Sequence, residues 1–171
     1  MEMPVYNISY STVNGPGKRM VIWVQGCGLN CNGCFNSHAH SYTRDKCIDI
    51  ENLANKINTD TSIEGITVSG GEPLDFTNEL GLLLNRVKPV LTKIIFSGYT
   101  VDEIVNDKGK MKVVKQADLI IAGRYDKKLK HPYLGKKIID VTGRIEANSF
   151  LPKIEIEYSL TNNQVIKSGI F

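Results

Sequence analysis

The sequence predicts an α/β fold with a mainly parallel sheet, and three observations support this prediction. Short apolar runs rich in strand-forming residues recur along the 171-residue chain, amphipathic helical segments separate them, and glycine-containing turns follow several of the runs. Continuous apolar runs suit strands buried on both faces, and alternating strands and helices are typical of βαβ units. The length suits one domain, spanning residues 1–171.

Four apolar runs have the length expected of buried strands. They lie at residues 20–24, 66–68, 94–96 and 119–122. Near both ends of the chain, at residues 6–10 and 154–158, apolar and polar residues alternate, which predicts half-exposed strands at sheet edges. The segment 127–143 is predicted to be a loop followed by a strand at 138–141.

Helical periodicity fills the gaps between the strands. Apolar residues at i, i+3, i+4 and i+7 predict a helix over 50–57, with Asp49 as its N-cap. A second pattern covers 76–87 and stops before Pro89. Thr100 and Glu103 form a capping-box pattern ahead of a short third helix.

Composition narrows the class of protein. With 42% hydrophobic and 23% charged residues, the chain is expected to fold around a packed core. A net charge of +3 is too small to predict nucleic-acid binding. We expect neither a membrane span nor a signal peptide, and therefore a cytoplasmic location. Basic residues crowd the segment 124–137, which we interpret as a solvated loop or as a docking surface for an acidic partner.

Three cysteines follow the first apolar run with the spacing C-x3-C-x2-C: Cys27, Cys31 and Cys34. Thiolates bind soft metals and iron–sulfur clusters, and three ligands on one short loop can each reach one corner of a cubane. The fourth iron would then be open to a substrate. Neighbouring glycines at 26, 28 and 33 allow the backbone to turn tightly.

Other metal sites are possible for this cluster of cysteines. A fully ligated ferredoxin-type cluster could recruit Cys47, although the spacing matches neither common ferredoxin pattern. A Cys3His zinc site could recruit His38 or His40, but it lacks the usual long separation between ligand pairs. We interpret Cys47 as a partly buried thiol and the two histidines as polar loop residues.

Two further turns follow predicted strands, Ser69-Gly70-Gly71-Glu72 and Ser97-Gly98-Tyr99-Thr100. Ligands of parallel α/β sheets bind beyond the carboxyl ends of the strands, so both turns and the cysteines are expected on one rim. Glycines let a ligand approach the backbone closely, and the Glu72 carboxylate could hold an ammonium group. A plain strand-to-helix turn with a capping acid is the alternative.

Together these motifs resemble the radical SAM superfamily, and most closely the activating proteins of anaerobic ribonucleotide reductase and related glycyl radical enzyme activases. The similarity covers roughly residues 10–125. The residues that carry it are Gly15-Pro16-Gly17-Lys18-Arg19, Trp23-Val24-Gln25-Gly26-Cys27, Cys34-Phe35-Asn36, Ser69-Gly70-Gly71-Glu72-Pro73-Leu74 and Ser97-Gly98-Tyr99-Thr100. In that branch the last parallel strand usually ends in Asp-Gly-Pro-Phe, where this chain has Ala122-Gly123-Arg124-Tyr125.

The resemblance implies a partial (β/α) barrel of about six mainly parallel strands. It implies that three cysteines hold three irons of a [4Fe–4S] cluster and that S-adenosylmethionine chelates the fourth. The implied cluster ligands are Cys27, Cys31 and Cys34. The implied residues around S-adenosylmethionine are Gly70, Gly71 and Glu72 at the methionine end, Phe35 and Asn36 beside the cluster and adenosine, and Ser97 and Tyr99 nearby. No further catalytic residue is expected.

The activity implied is reductive cleavage of S-adenosylmethionine to a 5′-deoxyadenosyl radical, which removes a hydrogen from a glycine of a large partner enzyme such as anaerobic ribonucleotide reductase. A flavodoxin- or ferredoxin-type protein would donate the electron. Two alternatives remain open: a radical SAM enzyme that modifies a peptide or small molecule, and a non-catalytic iron–sulfur electron-transfer or zinc-binding protein.

Overall fold

The structure is a computed structural model that describes residues 1–129, 134–146, 156–161 and 164–169. Its strands are β1 (Glu2–Ser11), β2 (Arg19–Val24), β3 (Cys47–Asp49), β4 (Gly65–Gly70), β5 (Thr92–Ser97), β6 (Leu119–Ala122), β7 (Lys137–Asp140), β8 (Ile156–Thr161) and β9 (Gln164–Gly169). Its α-helices are α1 (Ile50–Thr59), α2 (Thr77–Arg86), α3 (Val101–Val105) and α4 (Lys108–Val114), with 3₁₀ turns at Ser37–Ala39 and Pro73–Asp75.

A mixed sheet of seven strands, in the order β3-β1-β2-β4-β5-β6-β7, forms the framework. The predicted α/β class is therefore confirmed, but the sheet is mixed and has seven strands rather than about six mainly parallel ones. Strands β2, β4, β5 and β6 run parallel, whereas β1, β3 and β7 are antiparallel to their neighbours. Parallel strands need a long crossover, and the short connection from β1 to β2 permits only an antiparallel pair. Within the described residues the sheet is not closed into a barrel.

The two predicted edge strands differ from the structure. The first is present as β1, but β3 pairs outside it, so β1 is not at an edge. Strand β3 has three residues, too few to show a pattern in the sequence. The second predicted edge strand, at 154–158, begins outside the described residues, which exclude 154–155. Its described part belongs to β8, which pairs with β9 rather than with the main sheet. The strand predicted at 138–141 is β7, which ends one residue earlier.

The helices follow their predicted signals. Asp49 caps α1 by accepting a hydrogen bond from the Asn52 N–H, and the capping box of Thr100 and Glu103 precedes α3. Helix α2 ends at Arg86. Helix α4 was not predicted, because lysines and a glycine occupy most of its positions and its buried valines are adjacent rather than one turn apart.

The main core lies between one face of the sheet and helices α1, α2 and α4. Successive side chains of a strand point to opposite faces, so alternate strand residues face the other side of the sheet. There Ile94, Leu119 and Ile121 pack with Ile145 in a smaller cluster. The carboxyl end of this second face is where the candidate site lies.

Arg19 occupies the amino end of that second face and is fully buried. Its five N–H groups all find acceptors: the Thr67 and Thr92 hydroxyls and the carbonyls of Pro16, Ile66 and Thr92, at 2.7–3.0 Å. Burial lowers the pKa of Arg19 to about 10, opposed by the charges of Asp118 and Glu64. The side chain links β2, β4 and β5 at their amino ends.

Candidate functional site

The three cysteines and both glycine-containing turns meet at one open cavity. It lies beyond the carboxyl ends of β2, β4 and β5, as parallel strand order predicts. The residues singled out from the sequence that line it are Cys27, Cys31, Cys34, Phe35, Asn36, Gly70, Gly71, Glu72 and Ser97. Tyr99 is not among the described residues that line it, because its hydroxyl turns to Asp75, with an O–O distance of 2.7 Å.

The cysteine loop, residues 25–36, is anchored to the segment that follows it. The Gly26 N–H donates to the Ala39 carbonyl at 2.8 Å and the Cys27 N–H to the His40 carbonyl at 3.0 Å. Gly26 has φ 115°, a conformation that favours glycine. Gly28 does not have a positive φ. Its N–H donates a hydrogen bond to Asp75 Oδ2 at 2.9 Å.

The turn after β4 interlocks with this loop. The Glu72 N–H donates to the Gly26 carbonyl and the Gly71 N–H to the Val24 carbonyl. A Cβ atom at Gly71 would lie 2.1 Å from the Gly26 carbonyl oxygen, so only glycine permits the contact. The Asn36 amide donates to the Gly70 carbonyl at 3.0 Å. The cysteine loop and the glycine turn therefore form one rigid wall of the cavity.

Glu72 is the buried carboxylate of the site, with 1% of its surface exposed. Oε1 accepts from the Leu74 N–H at 2.9 Å and the Ser97 hydroxyl at 2.8 Å, and Oε2 accepts from the Gly98 N–H at 2.7 Å. Burial raises the pKa of Glu72 to about 7, although these three donors favour the ionised form. Glu72 thus caps the Pro73–Asp75 turn. From the described residues Oε2 accepts one hydrogen bond, and a carboxylate oxygen can accept two.

Several further residues line the cavity that were not among the predicted site residues: Leu29, His40, Ser69, Phe96, Gly98, Tyr125 and Lys136. Ser69 and Gly98 belong to the two turns expected on this rim, and His40 was considered only as a zinc ligand. Phe35 and Tyr125 pair at the opening, with ring centroids 5.5 Å apart. Phe96 and Ser69 had a detectable signal, since they end or directly follow predicted strands. His40 and Tyr125 lack any comparable mark in the sequence.

Lys136 is a cation beside the cysteines. It lines the cavity, is half-buried, and directly precedes β7, next to the end of β6. Burial lowers the pKa of Lys136, while the nearby charges of Glu72, Cys31 and Cys34 raise it. Burial also raises the pKa of Cys34, an effect that Lys136 opposes. One member of the basic segment therefore faces the site rather than solvent.

Burial likewise raises the pKa of Cys27, assisted by the charges of Glu72 and Asp75. Three thiols on one loop, facing one cavity, fit the ligand set of a cluster with an open iron. A bound metal would deprotonate them, because the thiolate is the form that ligates.

The fourth cysteine and the histidines are placed differently. Cys47 is half-buried in β3, opposite Pro4, and is outside the described lining of the cavity. His38 stacks on Tyr6, with ring centroids 4.7 Å apart. Among the described residues, no three or more Cys, His, Asp and Glu side chains lie close enough together to hold a single metal ion. Ligands of a cubane bind different irons and need not converge on one point.

Comparison with known proteins agrees with this arrangement. Residues 13–140 match the family described as the 4Fe-4S single cluster domain. The chain belongs to this family. The match spans both the cysteine loop and the glycine turn, and it supports a [4Fe–4S] cluster in this chain. Together with the relatives described next, it confirms the radical SAM assignment with S-adenosylmethionine as the second cofactor.

Relatives of this 4Fe-4S single cluster domain protein share one name. The anaerobic ribonucleoside-triphosphate reductase-activating protein of Haemophilus influenzae is 33% identical over 131 residues, which is 71% of this chain and 83% of the relative. The protein of the same name from Escherichia coli K12 is 32% identical over 133 residues, 71% and 84% respectively. That of phage T4 is 32% identical over 125 residues, 68% and 77%.

The fold has a solved counterpart. QueE from Escherichia coli superposes with a TM-score of 0.50 at 18% identity, over 58% of this chain and 54% of that one. Within the described residues, no helix is both long and apolar enough to span a membrane.

Proposed function

We propose that this protein generates a glycyl radical on a partner enzyme, an anaerobic ribonucleoside-triphosphate reductase. The observation that carries the proposal is the shared cavity of the three cysteines and the Gly70-Gly71-Glu72 turn, in a chain whose named relatives are matched over 77–84% of their length. We further propose that the open sheet is the partial barrel of the superfamily. An open sheet leaves the cavity accessible to a loop of a large protein.

We propose Cys27, Cys31 and Cys34 as the cluster ligands. Bound there, the cluster and S-adenosylmethionine together supply a 5′-deoxyadenosyl radical through one-electron reductive cleavage. The role of the chain is to bind, orient and shield these groups. We propose a flavodoxin- or ferredoxin-type protein as the electron donor. We also propose a cytoplasmic location, because free cysteine ligands persist in a reducing compartment.

The cavity residues would orient S-adenosylmethionine in distinct ways. The remaining acceptor position on Glu72 Oε2 suits its ammonium group, and the glycines at 70 and 71 leave the backbone open to close approach. Asn36 holds the Gly70 carbonyl in place. Phe35, 47% exposed, and Tyr125 lie at the opening, where an incoming loop could cover them and exclude water from the radical.

The test begins with anaerobic reconstitution and dithionite reduction, followed by EPR with and without S-adenosylmethionine. The reduced protein is then mixed with the anaerobic ribonucleotide reductase of the same organism, and 5′-deoxyadenosine and the glycyl radical signal are measured. We expect a [4Fe–4S] signal that changes with S-adenosylmethionine and a stable radical on the partner. Cys34→Ala should abolish both, and Cys47→Ala should leave both intact.

The other outcomes separate the alternatives. Cleavage of S-adenosylmethionine without a radical on the reductase would contradict the proposal and favour a peptide or small-molecule substrate. A cluster signal indifferent to S-adenosylmethionine would instead favour an electron carrier.

A further inference from the structure

A carboxylate outside the proposed ligand set gathers three segments beside the cavity. Asp75 Oδ2 accepts hydrogen bonds from the Gly28 N–H at 2.9 Å and the Tyr42 hydroxyl at 2.5 Å, and Oδ1 accepts one from the Tyr99 hydroxyl at 2.7 Å. Gly28 is next to Cys27 in the cysteine loop. Tyr42 lies beyond that loop, and Tyr99 follows β5. One side chain therefore connects the cysteine loop to two other parts of the rim.

Close packing accompanies these hydrogen bonds. A Cβ atom at Gly26 would lie 2.6 Å from Tyr42 Cδ1, and one at Gly28 would lie 3.0 Å from the Tyr42 hydroxyl oxygen. The Tyr42 ring also packs on Phe76, with centroids 6.0 Å apart. The tyrosine thus covers the start of the loop, while Asp75 holds both the tyrosine and the loop backbone.

Asp75 itself is fixed by its position. It ends the Pro73–Asp75 turn that Glu72 caps, and its N–H donates to the Glu72 carbonyl. Hydrogen bonds to a charged acceptor are roughly twice as strong as those between neutral groups, so Asp75 can hold a glycine-rich loop in one conformation. Its negative charge also lies on the cysteine side of the site, where it disfavours adding an electron.

We propose that Asp75 is a positioning residue: it fixes the cysteine loop for cluster binding through Gly28, and its charge lowers the reduction potential of the bound cluster. The inference rests on the proposed function of the three cysteines. It adds a role for a residue that is not itself among the described lining residues of the cavity.

The experiment compares Asp75→Ala and Asp75→Asn with the wild type. After reconstitution, we measure iron content, the rate of cluster loss to a chelator, and the potential by EPR-monitored redox titration. We expect Asp75→Ala to lose its cluster at least tenfold faster. Asp75→Asn keeps an acceptor for Gly28 but removes the charge, so we expect slower loss than in Asp75→Ala and a more positive potential than in the wild type.

Two sets of controls isolate the effect. The first control is Asp60→Ala. Asp60 also accepts a hydrogen bond from a tyrosine hydroxyl, that of Tyr10 at 2.7 Å, but it lies on the exposed surface at the end of α1. The cluster of this variant should behave as in the wild type. Tyr42→Phe and Tyr99→Phe each remove one hydroxyl and keep the Gly28 contact, so they should change the loss rate less than Asp75→Ala does.

The outcomes distinguish the two proposals. A wild type that binds no cluster would overturn the proposed function. A wild type that binds one, with Asp75→Ala losing it at the same rate and Asp75→Asn showing the same potential, would overturn the role of Asp75 alone. If Asp75→Ala fails to fold, the potential of Asp75→Asn still decides the matter.

Discussion

The Ser97 hydroxyl donates a hydrogen bond to Glu72 Oε1 at 2.8 Å, which joins the turn after β5 to the turn after β4. The Gly98 N–H adds a second link to the same carboxylate. The alternative considered from the sequence, a capping acid at a plain turn, is partly correct, because Glu72 does cap the Pro73–Asp75 turn. Burial also raises the pKa of Glu72, and this has a measurable consequence.

Glu72 should make the stability of the cluster-free protein depend on pH. Burial raises its pKa from 4.5 to about 7, so the folded state binds a proton that the unfolded state releases between these values. The stabilisation is full below about pH 4.5 and is lost as pH rises through about 7, by on the order of 3 kcal/mol. Urea unfolding of wild type and Glu72→Gln should therefore show a stability difference that changes across this window. A difference independent of pH would contradict the expectation.

Gly71→Ala should push the turn after β4 away from the cysteine loop, which together form the cavity wall. The added Cβ would meet the Gly26 carbonyl oxygen at 2.1 Å, and both are backbone positions with little freedom to move. We expect a loss of about 1–3 kcal/mol in unfolding free energy, as for other overpacked sites, together with reduced iron incorporation. Gly81→Ala is the matched control: Gly81 lies within α2, and the atom nearest to an added Cβ there is Val113 Cγ2, at an ordinary contact distance of 3.5 Å. Alanine at this helical position should stabilise by up to about 1 kcal/mol. Equal behaviour of the two variants would show that the wall tolerates a side chain.

Arg19→Lys should destabilise the protein despite keeping the charge. Lysine has three donors on a flexible stem and cannot reproduce the five bonds of the guanidinium fork. Unsatisfied buried acceptors should reduce the unfolding free energy by about 3 kcal/mol, measured by urea unfolding. The neighbouring Lys18→Met, at an exposed position, should cost less than about 1 kcal/mol. If Arg19→Lys reduced the unfolding free energy no more than Lys18→Met does, the hydrogen bonds of the guanidinium group would not have the stabilising role inferred for them.

Lys136→Met should make the reduction potential of the cluster more negative, by on the order of 50 mV. A cation that lines the cavity near Cys31 and Cys34 favours the state with the extra electron, and methionine keeps the length without the charge. Lys137→Met removes the same charge from the exposed start of β7 and should shift the potential much less. Redox titration followed by EPR measures both. Equal shifts would mean that Lys136 acts only through net charge.

The parallel strands could be predicted because each is a continuous apolar run, and the cysteine loop because its ligand spacing is short. Strand order then places the two glycine turns and the cysteines on one rim without knowledge of the structure. This is how nine lining residues were found from the sequence, while Tyr99, whose hydroxyl points to Asp75, was expected to approach the ligand directly.

Long-range contacts of single side chains were not predictable. Lys136 belongs to a charge-rich segment that resembles any solvated loop, and only the pairing of β6 with β7 brings it to the cysteines. In the sequence, Asp75 cannot be distinguished from other acidic residues near the start of a helix. Its hydrogen bond with the Gly28 N–H depends on how two loops pack together. Strand β3 and helix α4 were missed for local reasons: β3 has only three residues, and the buried valines of α4 are adjacent rather than one turn apart.

Arg19 and the cysteine loop lie at opposite ends of β2, and the five bonds of the guanidinium involve none of the residues around the cavity. The amino ends of the central strands are thus fastened independently of iron. We therefore expect the scaffold to fold without the cluster, so that the apo-protein is a folded acceptor for iron delivery and can be reloaded after the cluster is lost.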